Sequence, residues 1–161
     1  MTLHISRSIA ASLSIVVGLI AAGCSGGTHG APSDDPELSS RGTIEVTAKL
    51  VEVPEGAIFE RELYNYATVL KYEVLEVHRG RVKGKTIYVG HYNPFKPRAD
   101  AADRHVSNVG GHLKSFRGGD VHRMALEGSM LESFHGGILN KYSEEDTDPI
   151  YWAVWTNLVS S

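Results

Sequence analysis

The fold is decided by the stretch "YATVLKYEVLEVHRGRVKGKTIYVGHY", residues 66–92, in which apolar and polar side chains alternate on both sides of a polar turn. Alternation over four to eight residues is typical of a half-buried β-strand. Between the two alternating runs, Gly80 and Gly84 lie in the polar segment "RGRVKGK", as is typical of a hairpin turn. We therefore predict two antiparallel strands joined by this turn.

The first strand of this hairpin changes its apolar face in the middle. Leu70, Tyr72 and Val74 occupy alternate positions, and then Leu75 and Val77 take up the opposite parity. A β-bulge produces such a change, because one extra residue shifts the phase and bends the strand. The pattern favours one long bent strand, and the alternative is two separate strands.

Working outward, three further segments have strand patterns. In residues 43–53, "TIEVTAKLVEV", polar and apolar side chains alternate from Thr43 to Leu50. Residues 121–127 follow a glycine turn, and residues 150–159, "IYWAVWTNLV", are apolar on both faces. Short helices are predicted within residues 100–116 and 129–142. The fold class is therefore mainly β, a small OB-like barrel or sandwich with one or two short helices.

A family resemblance supports this fold class. The run "LKYEVLEVHRGRVKGKTIYV", residues 70–89, resembles the strand-hairpin core of the bacterial relatives of netrin and tissue-inhibitor-of-metalloproteinase (TIMP) domains. The resemblance implies an OB-type barrel of unknown function. It does not imply protease inhibition, because the cysteines that staple many of those domains are missing here.

The N-terminus has the features of a secretion signal. Residues 1–7 carry one positive charge, and residues 9–20 form an apolar run that is too short to span a bilayer. The following "AAGC" resembles a bacterial lipoprotein box, which implies that residues 1–23 are a signal peptide and that Cys24 is lipidated. Ser25 then implies onward export to the outer membrane of a Gram-negative cell, facing the periplasm or the exterior.

The lipidated cysteine and a tether come next. Cys24 is the single cysteine of the chain, and residues 25–42 are rich in Gly, Ser, Pro and Asp without an apolar period. Such composition is typical of a flexible linker. We therefore predict a lipid-anchored tether over residues 24–42 and a β-barrel domain over residues 43–161, with the lipid bilayer as a partner through Cys24.

Charge excludes one class of partner. The formal net charge is −3, whereas a nucleic-acid-binding protein is expected to have a basic excess or stripe. We therefore expect no nucleic-acid partner.

Histidine and aspartate residues suggest one candidate site. Imidazole and carboxylate groups bind metals when three or four of them converge. The chain has no HExxH motif and no GxSxG nucleophile elbow, so convergence would have to come from the fold. The candidate ligands of a metal or hydrolytic site are His91, Asp103, His105, Asp120 and His122.

A second candidate site combines arginines with aromatic and amide side chains. Small barrels often bind oligomers or peptides across one face through such groups. The candidate binding residues are Tyr92, Asn93, Arg98, Arg104, Arg117 and Arg123. The alternative is that the aromatics are core and the arginines brace the loop by pairing with aspartates. If the set binds a ligand, Arg98→Ala or Tyr92→Ala should weaken binding and leave the melting temperature nearly unchanged.

Two functions follow from these sites. The first is a non-enzymatic envelope lipoprotein that binds a protein or a polysaccharide and needs no cofactor. The second is a histidine-centred metal-binding or hydrolytic protein of the periplasm.

Overall fold

A computed structural model describes residues 35–54, 65–145 and 147–161. Seven strands are present in these residues: β1 Ile44–Leu50, β2 Tyr66–Arg79, β3 Thr86–Tyr92, β4 Gly110–Gly111, β5 Val121–Glu127, β6 Gly137–Leu139 and β7 Ile150–Ser160. Two short helices, α1 Pro36–Ser40 and α2 Met130–Ser133, and a 3₁₀ turn at Arg98–Asp100 complete the regular structure.

Five of the strands close into a ring. β1 pairs antiparallel with β2 and β5, and β2 pairs antiparallel with β3. β7 closes the ring because it pairs parallel with β3 and antiparallel with β5. The order β1-β2-β3-β7-β5 is that of a small Greek-key barrel of the OB type. The predicted mainly β fold class, the hairpin and the short helix within residues 129–142 are confirmed.

The bend in β2 arises from bulges. β2 is one strand of 14 residues, and its pairing with β1 skips two residues, Leu75 and His78. Leu75 is the residue at which the apolar pattern changes phase, so the predicted bulge is confirmed. The side chains of Leu75 and Val77 are 54% and 41% exposed, however, so the change of phase does not carry them into a second buried face.

Apolar side chains form two separate cores. The first fills the barrel, and its members include Leu50, Leu70, Ile87 and Met124. The second lies on the outer side of β2, β3 and β7, where Leu38 of α1, Met130 of α2 and residues of the β3–β4 connection cover them. Trp152 is fully buried in this outer core. The wall of the barrel is therefore apolar on both sides along these strands.

The helix predicted within residues 100–116 is wrong. A 3₁₀ turn precedes that segment and β4 lies inside it, while the rest is irregular. One cause is Asp103, whose Oδ1 accepts hydrogen bonds from the main-chain N–H groups of His105 and Val106. Such local bonds compete with helical ones.

Asp35, inside the range assigned to the tether, packs against the barrel. Asp35 caps α1 by accepting a hydrogen bond from the main-chain N–H of Glu37, and Leu38 is 1% exposed. The Asp35 carboxylate also accepts bonds from Trp155 Nε1 at 2.8 Å and Asn157 Nδ2 at 2.7 Å. A short helix therefore docks where composition suggested a linker.

The predicted signal peptide, Cys24 and most of the tether lie outside the described residues. Within the part of the chain that the structure describes, no helix has the length and hydrophobicity needed to span a membrane.

Candidate functional site

Three polar side chains meet inside one end of the barrel. Tyr72 Oη lies 3.1 Å from His91 Nε2 and 3.1 Å from His122 Nδ1. All three side chains are fully buried. They come from β2, β3 and β5. On its strand, each lies two residues from an apolar side chain of the barrel core, so it points inward as that side chain does. We call this group the His–Tyr–His cluster.

The shared hydroxyl restricts the protons of the cluster. A tyrosine hydroxyl donates one hydrogen bond, so it donates to one imidazole and accepts from the other. The outer nitrogens, His91 Nδ1 and His122 Nε2, are buried without a hydrogen-bond partner. Whichever proton arrangement is present, one outer nitrogen carries a hydrogen and the other presents a lone pair. The cluster is thus a short hydrogen-bonded chain whose two ends are unsatisfied.

Arg98 brings a positive charge to the same end of the barrel. It is 2% exposed, and its Nη2 donates to the main-chain carbonyls of Tyr92 and Asn93 at 2.8 and 2.7 Å. Its main-chain N–H donates to the carbonyl of Leu113 at 2.8 Å. Burial lowers the pKa of the guanidinium to about 10, so Arg98 remains charged at neutral pH.

Burial controls the ionisation of the cluster. Burial lowers the pKa of His91 well below its ordinary value, and the charges of Arg98 and His122 act in the same direction. Burial also lowers the pKa of His122 to about 4 and raises the pKa of Tyr72 well above its ordinary value. At neutral pH the site therefore holds two neutral imidazoles, a neutral phenol and a charged guanidinium.

Residues 112–119, which we call the cap, cover this cluster. The Phe116 ring centroid lies 4.7 Å from that of His91 and 5.6 Å from that of His122, edge to face in both pairs. The Arg98 guanidinium lies 5.4 Å from the same ring. One phenyl ring therefore contacts all three nitrogen-bearing groups.

The cap also lines a cleft of about 170 Å³. Its lining includes His112, Lys114, Ser115 and Arg117 of the cap, with Asp120 and Leu158 beside them. Lys114 and Arg117 are exposed. Pockets for drug-sized ligands usually measure about 300–1,000 Å³, so this cleft suits a single small polar group.

The five predicted metal ligands do not come together. His91 and His122 meet, but at Tyr72 rather than at a carboxylate. Asp103 accepts a bond from Tyr92 Oη at 2.8 Å, and it contacts the side of β3 opposite to His91, because successive strand residues point to opposite faces. His105 is exposed and Asp120 lines the cleft. In the described ranges no group of three or more His, Cys, Asp or Glu side chains could hold a metal ion.

The six predicted binding residues also separate. Tyr92, Asn93 and Arg98 are buried, and Arg123 Nη2 lies 2.7 Å from a Glu45 carboxylate oxygen. Arg104 is exposed beside His105. Of the six, Arg117 lines the cleft. Arg98 braces the loop after β3 through main-chain carbonyls, and not through the aspartates that the bracing alternative named.

Sequence reasoning missed Tyr72 and Lys114 as parts of the site. Tyr72 had a signal, because it is a polar-tipped residue at an inward position of a confirmed strand. Lys114 had none, because it lies in an irregular segment whose path no periodic pattern predicts. Phe116 is visible in the sequence only as one of several aromatics near the candidate arginines.

Comparison with protein-family models, with curated proteins and with solved structures found no match to this chain. The function is therefore argued from the cluster, the cap and the cleft.

Proposed function

We propose that this chain is a lipid-anchored, non-enzymatic binding module of the bacterial cell envelope whose cleft holds an anionic group of a polysaccharide. One observation carries the proposal: two exposed cations, Lys114 and Arg117, line a small cleft at the end of a closed barrel. A rigid scaffold that presents charged loop residues is the usual arrangement of a recognition site.

The size and chemistry of the cleft point to the ligand class. An arginine fork matches the oxygens of a carboxylate, sulfate or phosphate, and a lysine adds a point charge. Ser115 supplies a hydroxyl that both donates and accepts. Small barrels of this type commonly bind oligosaccharides. Lys114 and Arg117 outnumber the one carboxylate of the lining, Asp120, so an acidic sugar unit fits both the volume and the charge.

Burial argues for binding rather than catalysis. A general acid or base must come within about 3 Å of the proton that it moves. His91, His122 and Tyr72 are fully buried beneath the cap, so a substrate in the cleft does not reach them. The same burial argues against the histidine-centred hydrolytic alternative.

The position of the cleft fits a membrane anchor at Cys24. Asp35 lies eleven residue steps after Cys24, and a chain of this length spans at most about 40 Å. His112 of the cleft lies 3.4 Å from the Asp35 carboxylate. The cleft therefore opens beside the point where the chain arrives from the proposed anchor, within reach of polymers at the outer membrane surface. The resemblance of residues 70–89 to netrin and TIMP relatives is part of the same proposal.

Retention on a sulfated polymer tests the cleft. Full-length protein in detergent should be retained on dextran sulfate beads at pH 7 and not on neutral dextran beads. Lys114→Glu/Arg117→Glu should weaken retention by at least about tenfold, which corresponds to about 1.4 kcal/mol. The matched control is Lys85→Glu/Arg104→Glu, which makes the same change of charge at exposed positions that do not line the cleft.

Equal losses in both double variants would show that net charge alone drives retention and would reject the cleft. Retention that is lost in neither would do the same. The anchor is tested separately, because Cys24→Ser should abolish labelling with radioactive palmitate and release the protein from the membrane fraction.

A further inference from the structure

The His–Tyr–His cluster lies directly beneath the cap, where a change in the protonation of its imidazoles would affect the cap. Two imidazoles lie beneath Phe116, each with a buried outer nitrogen that has no hydrogen-bond partner. An imidazolium at either position would be buried beside the Arg98 cation. A buried charge without a partner is strongly unfavourable, so uptake of a proton requires water or a counter-charge to reach the ring.

The groups around the cluster offer little compensation. Tyr72 from β2 is neutral, and Arg98 from the 3₁₀ turn carries the same sign of charge as an imidazolium. β1 and β7 contribute apolar side chains such as Leu50 and Ala153 to the surrounding core. Asp120, before β5, is the negative group whose charge acts on Tyr72, and its carboxylate lines the cleft.

The middle of the cap is the cover that can move. Its ends are fixed, because the main-chain N–H of Leu113 donates to Thr156 and that of Gly119 donates to Leu50. Between these ends, the partly buried Phe116 packs on the cluster, and Gly118 approaches residue 52. Displacement of residues 114–118 would admit water to both outer nitrogens without breaking the barrel ring.

We propose that the cap is an acid-released cover: proton uptake by His91 and His122 displaces residues 114–118 and thereby dismantles the anionic-ligand cleft. The second part of this proposal, the loss of the cleft, rests on the proposed function, since Lys114 and Arg117 flank Phe116 and move with it. The device would release the ligand when the surroundings of the cell become acidic.

The direction of the effect follows from proton linkage. Burial holds the pKa of both histidines below their ordinary value in the closed state, and opening restores that value. Acid therefore favours the open state. Between pH 7 and 5 the opening equilibrium should rise about 20-fold for each histidine that regains an ordinary pKa near 6.5.

Hydrogen exchange on the full-length protein in detergent tests the opening. After correction for the chemical exchange rate, the amide of Asp120, which donates to the Arg117 carbonyl of the cap at 3.2 Å and therefore reports on its displacement, should lose at least about 20-fold in protection from pH 7 to pH 5. Amides of β5 and β7 should lose much less. In His91→Gln and His122→Gln the loss should be smaller, and in the exposed control His105→Gln it should equal that of the wild type.

Binding to dextran sulfate tests the coupling to the cleft. Acid raises the net positive charge of a protein while the sulfates stay ionised, so simple electrostatics predicts tighter binding at pH 5. The acid-released cap predicts weaker binding at pH 5 than at pH 7, and His91→Gln/His122→Gln should remove or reverse that weakening.

Unchanged cap protection at pH 5 would overturn the proposal, because it would mean that Asp120 or another group accommodates the imidazolium in the closed state. Loss of protection in the cap and the strands together would also overturn it, as global unfolding. Failure of dextran sulfate to bind at pH 7 would reject the proposed cleft but leave the exchange result to decide the cap. If the glutamine variants do not fold, the wild-type comparison of cap with strands still decides.

Discussion

Arg98 is a buried cation whose partners are main-chain carbonyls. Its side chain holds the turn after β3 by donating to the carbonyls of Tyr92 and Asn93, and Asn93 itself has a positive φ of 43°. Asn93 Nδ2 adds a bond to the carbonyl of Ala101. A chain segment with prolines and a left-handed residue is thus fixed by side chains where regular secondary structure is missing.

Loss of this side chain should therefore cost stability. We expect Arg98→Ala to lower the free energy of unfolding by about 3 kcal/mol, because buried carbonyls lose their charged donor and a cavity remains. Urea denaturation measures the difference. Arg104→Ala, at an exposed position of the same loop, is the control and should change stability by less than about 0.5 kcal/mol.

An Arg98→Ala variant as stable as the control would contradict the bracing role. It would also restore the expectation from the sequence that Arg98 is available to a ligand.

At the scale of elements, β4 shows how a very short strand can fix a long connection. Gly110 and Gly111 pair parallel with Trp155 and Thr156 of β7. A Cβ on Gly111, which has a φ of 135°, would lie 2.0 Å from the Thr156 carbonyl oxygen. Paired glycines usually predict a turn, so the sequence gives no sign that this pair docks on a strand.

Gly111→Ala should consequently be strongly destabilising. The added methyl meets main chain rather than a flexible side chain, and the backbone angle is unfavourable for a residue with a Cβ. We expect a loss of about 2–4 kcal/mol in urea denaturation. Gly128→Ala is the matched control, since nothing lies within 4 Å of its added Cβ. Similar stabilities for the two variants would show that β4 does not hold the connection.

The elements that the sequence predicted correctly are those with a local signal. The hairpin, the bulge in β2 and the strand β1 follow from alternation, β5 from the glycine turn before it, and β7 from its continuous apolar run. The helix predicted within residues 100–116 failed because Asp103 bonds to nearby main-chain N–H groups. β6 was missed because a three-residue strand is too short to show a period.

At the scale of the molecule, ring closure buries His91 and His122 in an apolar barrel interior that disfavours their charged forms. The two histidines are neutral there, and the folded state depresses their pKa values. A group whose pKa is lower in the folded state contributes stability that is complete above its unfolded pKa and is lost as the pH falls toward its folded pKa. For His122 that window runs from about 6.5 down to about 4.

The free energy of unfolding should therefore fall by about 3 kcal/mol from His122 alone across this window, at about 1.4 kcal/mol per pH unit. His91 should add a further loss of the same sign. Urea denaturation at half-unit intervals between pH 7 and 5 measures the slope, above the range in which most carboxylates titrate. His122→Gln should reduce the slope of the free energy of unfolding against pH by the contribution of about one titrating proton. The exposed control His105→Gln should leave the slope unchanged. A flat curve for the wild type would contradict neutral burial of both rings.

Local periodicity determined the strands, the hairpin and the inward positions of Tyr72, His91 and His122, because the face that a strand residue occupies depends on its near neighbours. The tertiary structure alone decided that these inward faces meet, since His122 lies 50 residues from Tyr72 and the closing of the ring sets their register. It also decided that Arg98 points inward while Arg117 lines a cleft, because both lie in an irregular connection whose path is set by contacts with distant strands.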